Sequence, residues 1–456
     1  NGRRHALLAR LNATTGAVDQ SFQVDAGVAR TGQPLIWGMA VSPDGSTLVA
    51  VGNFTVVNGQ ARNQVVMVDL AGTPTVADWS TDRYVLPCAS KTFPFYARDV
   101  DFSDDGSYFA IAADGSLREG AYCDTITRWE TGARGSNLDA TWVDQTGRDS
   151  VTAIEATDNV VYAAGHFRWL NNAHGLDTAG PGAVPRFGYG ALDPINGMPM
   201  AWNPSRSGAP TGTVKWGPIV GEVWRGAAGL YTGFDNDGAG REYHGRMAYF
   251  PLAGGRTAAA MNAPSATSGY LYQRSGTGAY TKVAFDGSVG ATSTVAQSNL
   301  AGAGASFIAG NRLYWAKTDG TLRVSNFSRT GTAGASWLGS SYNAWFNAGG
   351  LTGAFVLDGR MYYTVAGTDG LFYRYFEPDG HVIGSTRFAV ESTGVAWGSA
   401  RGMTWANGRI VFGGTDGRLR SVPFTGDEVD GAAATVLATP AAGISWNSPT
   451  LFYAAS

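Results

Sequence analysis

Asp99 and Asp101 stand two residues apart in ARDVDF, so an extended chain presents both carboxylates on one side. Glu155 in TAIEA and Glu222 in GEVW occupy comparable places in later segments. Carboxylates gathered on neighbouring strands can act as general acid and base, or as acid and nucleophile, on a glycosidic bond. They can equally hydrogen-bond between adjoining sheets, a role that needs no substrate. A second constellation is rich in aromatic and amide groups. Trp169, Asn171, Asn172, His174 and Asp177 fall in one Gly/Pro-rich stretch, and flat rings beside amides and carboxylates suit sugar binding. Trp37, Trp224, Trp397 and Trp405 flank strand-like runs, where stacking on a ligand and packing between sheets are the two readings. A third is the acidic turn Asp235-Asn236-Asp237-Gly238. Asp235 and Asp237 offer alternate oxygen ligands for calcium, although the rest of an EF-hand loop is missing and an Asx turn has the same pattern. No other cofactor is indicated.

Other chemistries lack their residues. The chain has no GxSxG elbow, P-loop or HExxH pattern, and its five histidines are scattered. With 33 basic and 36 acidic residues it offers no basic field for nucleic acid or an anionic membrane. No apolar run approaches the ~20 residues that span a bilayer. No signal-peptide pattern opens the chain, which starts at Asn1 as a processed or trimmed one would. Cys88 and Cys123 are too few for a zinc site. They suit one disulfide, worth about 3–4 kcal/mol in the chain-entropy model, with two buried thiols as the alternative. A disulfide points to an oxidising, extracellular setting.

The elements that must position these groups are strands. Glycine is abundant, 64 of 456 residues, and it punctuates short apolar runs rich in aromatics. GNRLYWAKTDGTLR at 310–323, DGRMYYTVAGTDGLFYR at 358–374 and NGRIVFGGTDGRLR at 407–420 are copies of one hairpin. The N-terminal half repeats a related unit with longer loops. GMAVSPDGSTLVAVGNF at 38–54 parallels DVDFSDDGSYFAIAADG at 99–115, and the series continues at 152–167 and 221–237. Four-stranded units at this spacing predict an all-β chain folded as one β-propeller over 1–456, with segments starting near 38, 99, 152, 221, 265, 304, 353 and 401. Eight blades is our reading, with seven or nine as alternatives. Blades within about 1–260 are irregular and long-looped, and those within about 261–456 are regular and short-turned. Two strand-like runs at each terminus are expected to pair and close the ring.

GNFTVVNGQARNQVVMVD at 52–69 and LNATTGAVDQSF at 11–22 resemble the bacterial delta-60 repeat, a propeller repeat. The stretch 165–204, GREYHGRMAYFPLAGG at 240–255 and the segment holding both cysteines resemble its form in large secreted actinobacterial proteins. The resemblance implies a propeller that adjoins further domains of a longer chain, and it supplies no catalytic residues. The expectation is a secreted or cell-surface module that binds or displays without catalysis, its partner a glycan or another extracellular protein. Nucleic acid and membrane insertion are not expected. The alternative is a polysaccharide-active hydrolase or lyase using Asp99, Asp101, Glu155 or Glu222. The long loops 165–204 and 80–98 are candidate binding surfaces.

Overall fold

The computed structural model describes residues 5–205, 220–235, 238–240, 242–253, 268–275, 279–296, 302–327, 336–339, 343–440 and 444–455. Among them it is all-β, with three-residue 3-10 turns as the only helical elements. Contacts divide the chain into two compact units, Asn1–Thr257 and Ala258–Ser456.

The N-terminal unit contains four antiparallel meanders. Leu35–Val41 leads into Thr47–Asn53, Val65–Asp69 and Thr75–Val76. Ala97–Phe102 leads into Tyr108–Ala113, Thr125–Glu130 and Trp142–Gln145. Two three-stranded sheets begin at Val151–Ala156 and Val220–Gly226. The tight turns come from the Asp-Gly pairs found in the sequence. Gly45 and Gly106 sit at φ +73° and +71°, a region L side chains rarely adopt. Second strands such as Thr47–Asn53 and Tyr108–Ala113 are buried on both faces, which is why they read as continuous apolar runs. The first strands pack on one another in the order 35–41, 97–102, 151–156, 220–226.

The C-terminal unit repeats this plan with shorter turns. Its sheets begin at Ala303–Ala309, Leu351–Leu357 and Ala400–Ala406. A fourth sheet runs in the order 451–455, 269–275, 279–285, 289–296. The first three of these leading strands pack in succession; 400–406 then packs on Leu451–Ala455, which packs back on 303–309. Sheets stacked face to face around a set of inner strands are the propeller plan, and the buried clusters lie between successive sheets. One joins Phe307, Tyr314 and Val324 to Ala354, Met361 and Phe376.

The expected closure by pairing of the two termini is corrected here. Leu451–Ala455 pairs with Gly269–Ser275, residue 453 opposite 271, and supplies the inner strand missing at the segment near 265. The apolar run Leu-Phe-Tyr-Ala is buried between sheets, so it belongs at an inner position. Among the described residues the N-terminal run forms only the bridge Leu11–Val18 before Ala26–Gly27 joins Val56–Val57.

Seven leading strands carry a register shift near their start, among them Ile36/Gly38, Ala97/Asp99, Val151/Ala153 and Val220/Glu222. A bulge bends the strand and re-aims the residues after it. Asp99 and Glu222 directly follow theirs.

Candidate functional site

Three of the four inner-strand carboxylates, Asp99, Asp101 and Glu155, are brought together as links between sheets. Asp99 Oδ2 accepts the Ile154 amide at 2.9 Å and Asp101 Oδ2 accepts the Ala156 amide at 2.8 Å, both 55 residues downstream. Glu155 continues the pattern, accepting the Arg225 amide at 3.0 Å and its Nε at 3.3 Å. Glu222 is exposed and lies near enough to Asp99 to repel its charge. Burial pushes both aspartates up to about 7, against the backbone hydrogen bonds that favour their ionised forms. Each carboxylate therefore spends an oxygen on an amide that an inner strand would otherwise leave unpaired.

The stretch around Trp169 is built from within. Trp169–Leu170 pairs with Val184–Pro185, and the Trp169 ring, 9% exposed, lies under the Arg168 guanidinium. Arg168 holds the buried Asp149 through Nε at 2.8 Å and Nη2 at 2.7 Å, and also reaches Asp177. Asn171 adopts φ +51° and donates to Gly182 O, while its amide donates to Asp144. Asn172, fully buried, donates to Thr146 O and Thr178 O and accepts from the Gly180 amide. Trp169, Asn171 and Asn172 thus shape the loop from inside, whereas His174 and Asp177 are exposed at its tip. Asn58, at φ +48°, plays the matching part in the first sheet, accepting from the Asp25 amide and donating to Gln23 O.

Cys88 and Cys123 are bonded, with Cα atoms 5.8 Å apart. The bridge staples the 80–98 loop to the loop that follows Tyr108–Ala113. Gly115 packs at this junction with φ +113°, and a Cβ there would lie 2.7 Å from Cys88 Cβ and 2.3 Å from the Tyr96 ring. Two clefts flank the stapled loop. One, of about 450 Å³, runs between Arg83, Tyr122 and Gln145 and reaches Ala173 of the 165–190 loop. Its Arg83 is paired with Asp139. The other, of about 420 Å³, is lined by 30–31, 87–91, 93–94, Tyr96 and Arg118. Arg30, Lys91 and Arg118 are cationic, and no carboxylate lines this cleft. Among the described residues none of the three has a carboxylate partner.

These cations lie far apart in sequence, and no motif joins them. The available signals were the length of the 80–98 loop and Lys91 within it, one of four lysines in the chain. Of the flanking tryptophans, Trp397 is buried, while Trp37 and Trp224 are 58% and 59% exposed. Trp405 is half-buried and donates to Phe424 O. Asp235 is exposed and Asp237 lies outside the described residues, within which no group of three or more His, Cys, Asp or Glu could hold a metal ion. No described helix is long and apolar enough to cross a membrane.

No family model matches the sequence, and no curated protein does. Among solved structures, similarity extends to the Dos1 propeller, at 9% identity over 92% of this chain and 86% of that one, with a TM-score of 0.27. The WD40 repeats of RRP9 match at 10% identity over 90% and 92%, with a TM-score of 0.24. The computationally designed Ika8 protein matches at 12% over 88% and 98%, with a TM-score of 0.25. At such scores the assignment to a propeller-like fold rests on the sheet packing described above.

Proposed function

We propose that this protein is a secreted or cell-surface propeller module that binds an extracellular ligand without catalysis, through the loops of its N-terminal unit. The four sheets of each unit are read as eight blades in all. The observation that carries the functional reading is the contrast between the two kinds of candidate residue. Asp99, Asp101 and Glu155 are committed to amides of the next inner strand, while the cleft beside the stapled 80–98 loop gathers Arg30, Lys91 and Arg118, none of which has a carboxylate partner among the described residues. Loops fixed on a rigid scaffold are where binding groups usually sit. The disulfide supports an oxidising location. A glycan is the ligand class this surface suits, since Phe93, 38% exposed and with Arg98 over its ring, sets an aromatic edge beside hydroxyl and cationic groups. The resemblance to delta-60 repeats of secreted proteins supports the same setting.

A glycan array probed with wild type and Phe93→Ala tests this. The expected result is selective binding that falls about 5- to 30-fold in the variant, the share of one aromatic anchor. An array and an extracellular-protein panel that both stay blank would overturn the reading.

A further inference from the structure

We infer that the cleft between residues 30–31, Arg118 and the stapled 80–98 loop receives the acidic group, carboxylate or sulfate, of an anionic saccharide. This rests on the binding reading above and assigns its ligand chemistry. The chain as a whole carries a net charge of −3, yet this cleft of about 420 Å³ gathers Arg30, Lys91 and Arg118 and no acid. Uncompensated cations on a folded surface repel one another, and a charged oxyanion relieves that repulsion while accepting several hydrogen bonds.

Each cation has donors to give. Arg30 stacks on Tyr96, its Cζ 4.9 Å from the ring centroid, and its Nη1 is buried with no acceptor. That nitrogen has no surface a ligand could reach, so Arg30 would meet an acceptor through the rest of its guanidinium, which no described acceptor engages. Arg118 is fixed by donating Nη1 to Pro87 O at 2.7 Å, which leaves its other nitrogens for a ligand. Lys91 is exposed on the loop and forms no ion pair among the described residues.

The remaining lining favours a sugar over an acidic peptide. Phe93 is 38% exposed with the Arg98 guanidinium over its ring, Cζ 4.9 Å from the centroid, and the Ser90 hydroxyl stands beside that of Thr92 at 3.0 Å. The loop from Ser90 to Phe95 forms no strand, so an extended peptide would find no sheet edge to join there. The cleft lies within the roughly 300–1,000 Å³ range of small-ligand sites.

The test is calorimetric titration of the full chain at about 0.15 M salt with polygalacturonate, dextran sulfate, neutral dextran and poly-glutamate. Polygalacturonate or dextran sulfate should bind, and whichever does so identifies carboxylate or sulfate. Dextran should not bind, and the Lys91→Glu/Arg118→Glu double variant should lose at least tenfold in affinity. Lys317→Glu/Arg418→Glu, which changes net charge equally in the other unit, should bind as wild type does. The exposed Lys91→Glu alone, expected to weaken binding about threefold or more, serves if the double variant melts early. Equal binding of dextran would overturn the need for an anion, and equal binding of poly-glutamate would make the ligand an acidic peptide. Unchanged affinity in the Lys91 variants would place the site elsewhere. Failure of all four polymers overturns this inference alone if the array still reports neutral glycans, and takes the binding reading with it if the array and the extracellular-protein panel are also blank.

Discussion

Asp101 accepts an amide from the neighbouring inner strand, so removing its side chain leaves that donor without its partner. Asp101→Ala is expected to cost about 1–3 kcal/mol in chemical denaturation, whereas Asp101→Asn, whose Oδ1 can still accept, should cost much less. The same carboxylates set a pH dependence. Asp99 and Asp101 titrate near 7 in the fold against 3.8 for a free aspartate, because burial penalises their charge. Between those values the folded chain holds protons that the unfolded chain releases, so stability falls as pH rises from about 4 to about 7 and levels off above. Asp124, pushed up to about 7 by the same cause, adds to the trend. Calorimetry should find a lower Tm at roughly pH 8 than at roughly pH 5, and a smaller difference in Asp99→Asn. A Tm that rises over this interval would contradict it. The grouping of these acids was legible in the sequence because a strand's period of two is a local property. Their commitment to amides was not, since it depends on bulges and on strands 55 and 70 residues away.

At the scale of elements, the hairpin repeat carries an inter-sheet clamp that sequence reading missed. Tyr314 and Arg312 both donate to Pro378 O; Tyr362 and Arg360 both donate to Gly426 O, at the same separations of 64 and 66 residues. In the N-terminal unit Tyr108 likewise donates to Thr157 O. The arginine spacing was visible as a repeat, but its bonds reach loops of the following copy. Loop architecture was partly legible too. The 80–98 and 165–190 segments stood out by length, yet Trp169 and Asn172, read as ligand contacts, are buried because such loops need cores of their own. Asn172→Ala should therefore destabilise the N-terminal unit by about 1–3 kcal/mol, read by denaturant titration. Cys88→Ser/Cys123→Ser should cost about 3–4 kcal/mol and loosen the clefts beside the loop, which hydrogen exchange over 86–96 and 115–123 would report. Unaltered exchange there would mean that packing around Gly115 suffices without the bridge.

For the molecule as a whole, seven of the eight starts read from the sequence fall within a few residues of an inner strand among the described residues. The eighth was assigned to the wrong partner because strands 180 residues apart leave no local trace of their pairing. Deleting residues 444–456 should strip the sheet at 269–296 of its inner strand and lower the melting temperature of the C-terminal unit sharply. An unchanged melting curve would contradict the pairing. The proposed function enters at this scale as a division of labour: inner strands hold sheets together, and the N-terminal loops, fixed by a disulfide and buried polar side chains, are the surface proposed to meet a ligand. The most direct test is mass spectrometry of an array-identified glycan after prolonged incubation with the protein. The glycan should be recovered intact and bound, with binding unaffected by Asp101→Asn. Recovery of shortened or unsaturated fragments, abolished in Asp101→Asn, would contradict a non-catalytic binding module and make the inner-strand acids its active site.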